Sequence, residues 1–78
     1  MATAAPDVII DTTGLICPMP VLKAKKAIDD LEDGQVLSVI STDAATRSDI
    51  PMLVQRLGLE LLDTVESNGV IEFYIKKK

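Results

Sequence analysis

The sequence predicts an α+β domain, a two-layer α/β sandwich in the order β-α-β-α-β-β. It has a four-stranded mixed sheet with two helices on one face. Three observations carry this. Apolar residues recur at helical spacing from Val21 to Leu31, and Thr46 to Gly58 reads as a second helix between a capping-box spacing and a glycine stop. Short β-prone runs flank both segments. Asn68-Gly69 separates the last two runs, and this dipeptide suits a tight hairpin because both turn positions need positive φ.

Val8-Ile9-Ile10 is the first β-prone run, ended by the turn cluster Asp11-Thr12-Thr13-Gly14. In the first helix Val21, Ala24, Ile28 and Leu31 form the apolar stripe, with Leu22 and Ala27 widening it. Lys23, Lys25, Lys26, Asp29 and Asp30 take the remaining positions, and Glu32-Asp33-Gly34 stops the helix. Val36 to Ser41 is the second strand. Leu37 and Val39 face the helices, leaving Val36 and Ile40 on the other side. Thr46 and Asp49 are spaced like a capping box. Pro51 fits that frame badly, because it falls past the first turn. Either Asp49 is the true N-cap, or residues 46–49 form a separate turn. Gly58 is the expected stop.

Leu59 to Glu66 and Val70 to Lys76 form the closing hairpin. Ile71, Phe73 and Ile75 point one way, while Glu72, Tyr74 and Lys76 point the other. The outer sheet face would then carry Val36, Ile40 and Leu62 with no third layer over them. Two readings stay open: scattered exposed apolar residues, or a partner or dimer surface.

The chain has 78 residues, enough for one domain over residues 7–78 behind a disordered tail over residues 1–6. Hydrophobic residues make up 47% but aromatics only 3%, so aliphatic packing must hold the core. Met1 to Pro6 lacks the basic and apolar regions of a signal peptide, and no apolar run is long enough to span a membrane. A single cysteine favours a reducing cytoplasm. The net charge of −4 disfavours nucleic acid as a direct ligand. Lys76-Lys77-Lys78 reads as a solvated terminus. A monomer is expected.

The most informative residue is that cysteine, Cys17, in Cys17-Pro18-Met19-Pro20. Proline suits the first turn of a helix, which places Cys17 at or next to the N-cap. The macrodipole and unpaired N–H groups there stabilise a thiolate and can lower a cysteine pKa to about 3.5–7.5. Pro20 stiffens the turn, and its loss is expected to cost little stability. The opposing reading is a small buried hydrophobe, which Leu15 and Ile16 favour.

Absences narrow the chemistry. Without histidine there is no Cys-His dyad. Without a second cysteine there is no dithiol couple. No Gly-rich phosphate loop is present. Asp11, Asp43 and Asp49 show no paired spacing. A solitary activated thiolate, with no metal or cofactor, suits a covalent carrier.

The segment from Gly14 to Ala27 resembles the Cys-Pro-x-Pro signature of the TusA/SirA-like sulfur carriers. The likeness covers nearly the whole chain. Asp11 matches the family's acid before the Gly-Leu pair, Gly34 to Val39 its Gly-Gln-x-Leu-x-Val strand, and Asp43 with Asp49-Ile50-Pro51 its second motif. The chain departs at Ala44-Ala45, where many members carry Pro-Gly or Pro-Ala. The resemblance implies this same sandwich and a persulfide on Cys17, supported by Pro18, Pro20, Gly14 and Asp11. It also implies a cysteine desulfurase or rhodanese as donor and a TusD- or DsrE-type acceptor. The pathway stays open between tRNA thiolation, molybdenum cofactor supply and sulfur oxidation. The alternative is a regulatory or protein-interaction domain in which Cys17 is dispensable.

Lys23 and Lys26, spaced i, i+3, make a basic spot near Cys17, either an ordinary solvated face or a docking site for acidic partners. Met19, with Leu15 and Ile16, offers apolar docking. Arg47 is a further docking candidate whose role is open.

Overall fold

The structure is a computed structural model that describes residues 6–16 and 18–77. Its elements are β1 (Val8–Thr12), α1 (Met19–Asp30), β2 (Val36–Ser41), α2 (Thr46–Arg56), β3 (Glu60–Ser67) and β4 (Val70–Lys76). They form one four-stranded sheet in the order β1-β2-β4-β3. β1 pairs parallel with β2, and β4 pairs antiparallel with both β2 and β3. This is the expected mixed sheet, with both helices over one face. Of the expected tail, residues 1–5 lie outside the described residues, as does Lys78.

The core lies between the helices and the inner sheet face. Leu37 and Val39 of β2 and Ile71, Phe73 and Ile75 of β4 meet Ala24, Ala27, Ile28 and Leu31 from the first helical segment. Ile50, Leu53 and Val54 of α2 complete it. Phe73 is the core's only aromatic residue and is fully buried. Truncating such a side chain costs about 3–5 kcal/mol.

Two parts of the expected packing need correction. Leu22 does not widen the α1 stripe; it is 54% exposed. At about 100° per residue it sits roughly 160° from Ala24, on the far side of the helix. Pro20 takes its place and is fully buried.

The second correction concerns the outer sheet face. Val36 is buried there, and Ile40 and Leu62 are half-buried. A bulge between Leu61 and Asp63 shifts the β3 register and puts Val65 opposite the outward-facing Glu72. Strict alternation hides that residue; Val65 is 47% exposed, and Ile9 on the same face is 59% exposed. At the face's centre Ser38 donates to the Glu72 carboxylate at 2.6 Å.

α2 begins at Thr46, as the expected 46–58 helix does, with Pro51 inside it; Asp49 is not its N-cap, residues 46–49 are not a separate turn, and there is no capping box. Asp43 caps the approach instead: its side chain accepts the Ala45 N–H at 3.0 Å. Tight i→i−3 bonds follow, from Thr46 to Asp43 O and from Arg47 to Ala44 O, both 3.1 Å. Pro51 lacks only the N–H that would reach Arg47 O, so one helical bond is lost. The hairpin turns at Asn68 and Gly69 with φ of 52° and 80°, as the sequence requires.

Candidate functional site

β1 and β2 run parallel, so their carboxyl ends lie side by side, and each leads into the start of a helix. That edge of an α/β sheet is where ligands commonly meet the chain. The loop after β1 carries the Cys-Pro-Met-Pro motif. Cys17 itself lies outside the described residues, and the site is defined by what frames it.

The frame starts at Asp11. Its carboxylate accepts the N–H of Thr13 at 2.9 Å and its hydroxyl at 2.5 Å, closing an Asx-type turn. The Thr13 hydroxyl, then its N–H, holds the Asp11 pKa below the ordinary carboxylate value. Thr12 is fully buried and ties the end of β1 to β2 through its hydroxyl on Ile40 O at 2.5 Å. Gly14 turns the chain at φ +83°, a conformation that side-chain-bearing residues rarely adopt. Its N–H donates to the Thr42 hydroxyl at 2.9 Å, which pins the motif loop to the loop between β2 and α2. Leu15 N–H returns to Thr12 O at 3.0 Å.

Beyond this anchored turn the chain opens to solvent. Ile16 is 74% exposed and Met19 42% exposed. Pro18 is exposed and occupies the N-cap, not the first helical position, so Cys17 stands one residue before the cap. Among the described residues no side chain caps α1, and no acidic residue lies in its first turn. Pro18 and Pro20 have no N–H, and Met19 spends its own on Ile16 O at 2.9 Å. The helix start therefore offers an adjacent anion chiefly its macrodipole, with fewer free donors than expected from the sequence.

Pro20 plays a larger structural part than expected. It is buried, and replacing it with alanine removes two methylenes from the core, about 1.5 kcal/mol.

The docking candidates separate. Lys23 and Lys26 line a groove between α1 and β1. Arg47 is committed elsewhere. Its guanidinium makes a two-point ion pair with Glu66, Nε to Oε1 at 2.9 Å and Nη2 to Oε2, clipping α2 to β3. A cleft of about 260 Å³ lies between the helices beside the motif, lined by Pro18, Val21, Asp49, Met52, Leu53 and Arg56. Met52 is 54% exposed there. Nothing in the local sequence pattern singles out Met52 or Thr42. Thr13 was findable, two residues after Asp11 in an Asx-turn pattern.

Among the described residues no cluster of His, Cys, Asp or Glu could hold a metal. No described helix is long and apolar enough to cross a membrane.

The motif, its anchored turn and the β-α-β-α-β-β order point the same way as relatives of known type. The family described as "Sulfurtransferase TusA" matches residues 8–77. The chain belongs to the TusA family. It is 44% identical over 78 residues to the sulfur carrier protein TusA of Pseudomonas putida strain F1, covering 100% of this chain and 98% of that one. A putative sulfur carrier protein of Archaeoglobus fulgidus is 41% identical over 68 residues, covering 86% and 88% of the two chains. The crystal structure of a SirA-like protein from Desulfitobacterium hafniense superposes with a TM-score of 0.79 at 34% identity, covering 88% of this chain and 95% of that one. This TusA-family chain thus shares its fold as well as its sequence with proteins described as sulfur carriers or SirA-like.

Proposed function

We propose that this protein carries sulfane sulfur as a persulfide on Cys17. The single observation behind this is a lone cysteine placed before an uncapped helix start, in a chain that matches the TusA family from residue 8 to residue 77. The Cys17 thiolate attacks the outer sulfur of a donor persulfide on a cysteine desulfurase or rhodanese. A new S–S bond forms at Cys17, the donor's S–S bond breaks, and the donor cysteine leaves as a thiolate. No external oxidant is needed. A TusD- or DsrE-type acceptor thiolate then repeats the exchange on the Cys17 persulfide. The sulfur serves tRNA thiolation, cofactor supply or sulfur oxidation.

Carriage needs a partner to reach the thiol closely and leave again. The exposed Ile16 and Met19 supply apolar contact beside the motif. Lys23 and Lys26, on a chain of net charge −4, favour approach of an acidic surface.

The test is mass spectrometry after incubation with desulfurase and cysteine. One added sulfur atom is expected on the parent and none on Cys17→Ser, which should fold as the parent does. Sulfur retained by the serine variant would falsify carriage at Cys17.

A further inference from the structure

Both helices cover the inner face of the sheet, and among the described residues no element covers the outer one. Three apolar residues cross that outer face. Ile9 of β1 and Val65 of β3 stand exposed toward its two edges, with Ile40 of β2 half-buried between them. The register places Glu72 of β4 in one row between Ile40 and Val65. A carboxylate therefore sits in the middle of an apolar row.

Two hydroxyls hold it there. Ser38 is fully buried and donates to Glu72 Oε2 at 2.6 Å. Tyr74, two residues along the same strand face, bonds to the same carboxylate, and this bond raises the tyrosine pKa above its ordinary value. A carboxylate has about four acceptor positions, so about two remain for a donor from outside. Glu72 is only half-buried, and such a donor can reach it. An acceptor fixed before binding lowers the ordering cost of association.

The surroundings are acidic. Asp11 ends the Ile40–Glu72–Val65 row on β1, and Asp63 lies opposite Tyr74 in the next row. The four strands hold one cation, Lys76, which lies opposite Glu60 at a corner of the face. Anionic lipid and nucleic acid are poor occupants for such a surface. A second copy is no better, because a two-fold contact brings the central residue close to its own copy, acid against acid. With strands about 4.8 Å apart and a rise of about 3.3 Å per residue, the shared face measures roughly 19 Å by 17 Å. That footprint is well short of the roughly 800 Å² per partner of a standard stable interface. It fits about three turns of one helix.

We propose that the outer sheet face docks a basic amphipathic helix of a partner protein, with an arginine of the helix on Glu72 and apolar residues over Ile9, Ile40 and Val65. An arginine suits this row because its aliphatic stem covers apolar surface while its planar head meets a carboxylate at two points. The inference goes beyond persulfide carriage and does not rest on it. The helices lie on the other side of the sheet, so a partner held here leaves the α1 start to a second protein.

The test uses the full chain. The probe is a capped 18-residue amphipathic peptide with a leucine–alanine stripe, lysines opposite the stripe and one arginine at its centre. A counterpart carries glutamate in place of that arginine. In NMR titrations the arginine peptide should shift the amides of Ser38, Ile40, Val65 and Tyr74 and leave Met52 and Val54 of α2 unmoved. It should bind about tenfold more tightly than the glutamate peptide, through attraction in one and repulsion in the other. Glu72→Gln keeps an acceptor for Ser38 but removes the charge, and should reduce that preference to about twofold or less. Ile9→Ser with Val65→Ser changes only exposed side chains, and should weaken the arginine peptide about fivefold through lost apolar contact.

Should Glu72→Gln unfold, the serine pair and the two peptides still decide. Equal affinity for the two peptides, shifts confined to the helices, or undiminished binding by the serine pair would each overturn the proposal. So would concentration-dependent shifts at Ile40 and Val65 without peptide, which would place a second copy on the face. Loss of the same signals on phosphatidylserine–phosphatidylcholine vesicles would make it a membrane contact and overturn the proposal as well. No readout uses Cys17, so failure of helix docking is distinct from failure of sulfur carriage.

Discussion

Two helices of this protein begin at neighbouring positions, each just beyond the carboxyl end of a parallel strand, yet their starts are built in opposite ways. At α2 side chains hold the approach to the helix. Asp43 accepts the Ala45 N–H at 3.0 Å, and the Thr46 hydroxyl is 2.6 Å from Asp43 O and 3.2 Å from Ser41 Oγ. Asp49 answers the dipole from within the first turn, and Arg47 is clamped to Glu66. At α1, among the described residues, no side chain caps the helix, no acid lies in the first turn, and Ile16, Pro18 and Met19 are exposed. The same backbone charge is neutralised at one helix and left available at the other. The α1 start has no first-turn acid to compensate its positive end, the setting in which a nearby thiolate is stabilised.

Closing the hydrogen bonds of α2 should matter most to folding and least to transfer. Thr46→Val keeps the shape of a fully buried side chain but deletes its hydroxyl, leaving Asp43 O with the Thr46 N–H alone and Ser41 Oγ with the Asp43 N–H alone, each at 3.1 Å. A loss of about 0.5–1.5 kcal/mol in urea unfolding is expected, the net worth of one hydrogen bond. At temperatures where the variant is folded, sulfur loading of Cys17 should proceed at the parent rate. Slowed loading in the folded variant would mean that the α2 start also shapes the motif loop, through the Thr42–Gly14 bond.

How far the sequence carries these assignments depends on the range of the interaction. Local signals were legible. Asn68-Gly69 turned at positive φ, and the stripe from Ala24 to Leu31 faced the core, because turns and helices are set by residues a few positions apart. The Cys-Pro-Met-Pro motif was legible for the same reason. What escaped depends on partners distant in the chain. Thr42 meets Gly14 across 28 positions. Arg47 meets Glu66 across 19 positions, so it reads as a spare cation in sequence and as a clip in the fold. The β3 bulge reverses which residues face outward without changing composition, hiding Val65. Pro20 and Leu22 were misplaced because proline was read only for its backbone role, although its ring takes the core-facing position two residues from leucine.

A second prediction makes the α1 start resemble the α2 start. Met19 is exposed in the first turn of α1, where no acid stands. Met19→Asp would place a carboxylate beside the dipole's positive end and near the thiol. Like charge disfavours thiolate formation. In the parent, alkylation rate against pH should show a Cys17 midpoint below the free-cysteine value of about 8.5. In Met19→Asp the midpoint should rise by up to about one pH unit, with little change in urea stability. A parent midpoint at or above about 8.5 would show that the α1 dipole does not activate Cys17, and an unmoved midpoint in Met19→Asp would show that the thiol does not feel charge at the α1 start.

The smallest effect belongs to the clip at α2. Its ion pair with Arg47, chiefly the hydrogen bond, lowers the Glu66 pKa below 4.5, and the same contact raises the pKa of Arg47. A carboxylate whose pKa falls on folding adds stability that is fully present above its unfolded value and lost as pH falls through the folded value. The stabilisation by Arg47 should therefore be constant at neutral pH and fade only in acid below about 4.5. Both side chains are partly exposed, so salt screens the pair and the effect stays small. The measurement is the urea midpoint of Arg47→Met against the parent across that pH range. The two curves should lie slightly apart at pH 7 and converge in acid, and added salt should narrow the gap at neutral pH. A gap that persists after Glu66 is protonated would show that the aliphatic stem of Arg47, not its charge, holds α2 to β3. Sulfur loading should be unchanged in this variant; a slower association with the donor would instead return Arg47 to the docking surface with Lys23 and Lys26.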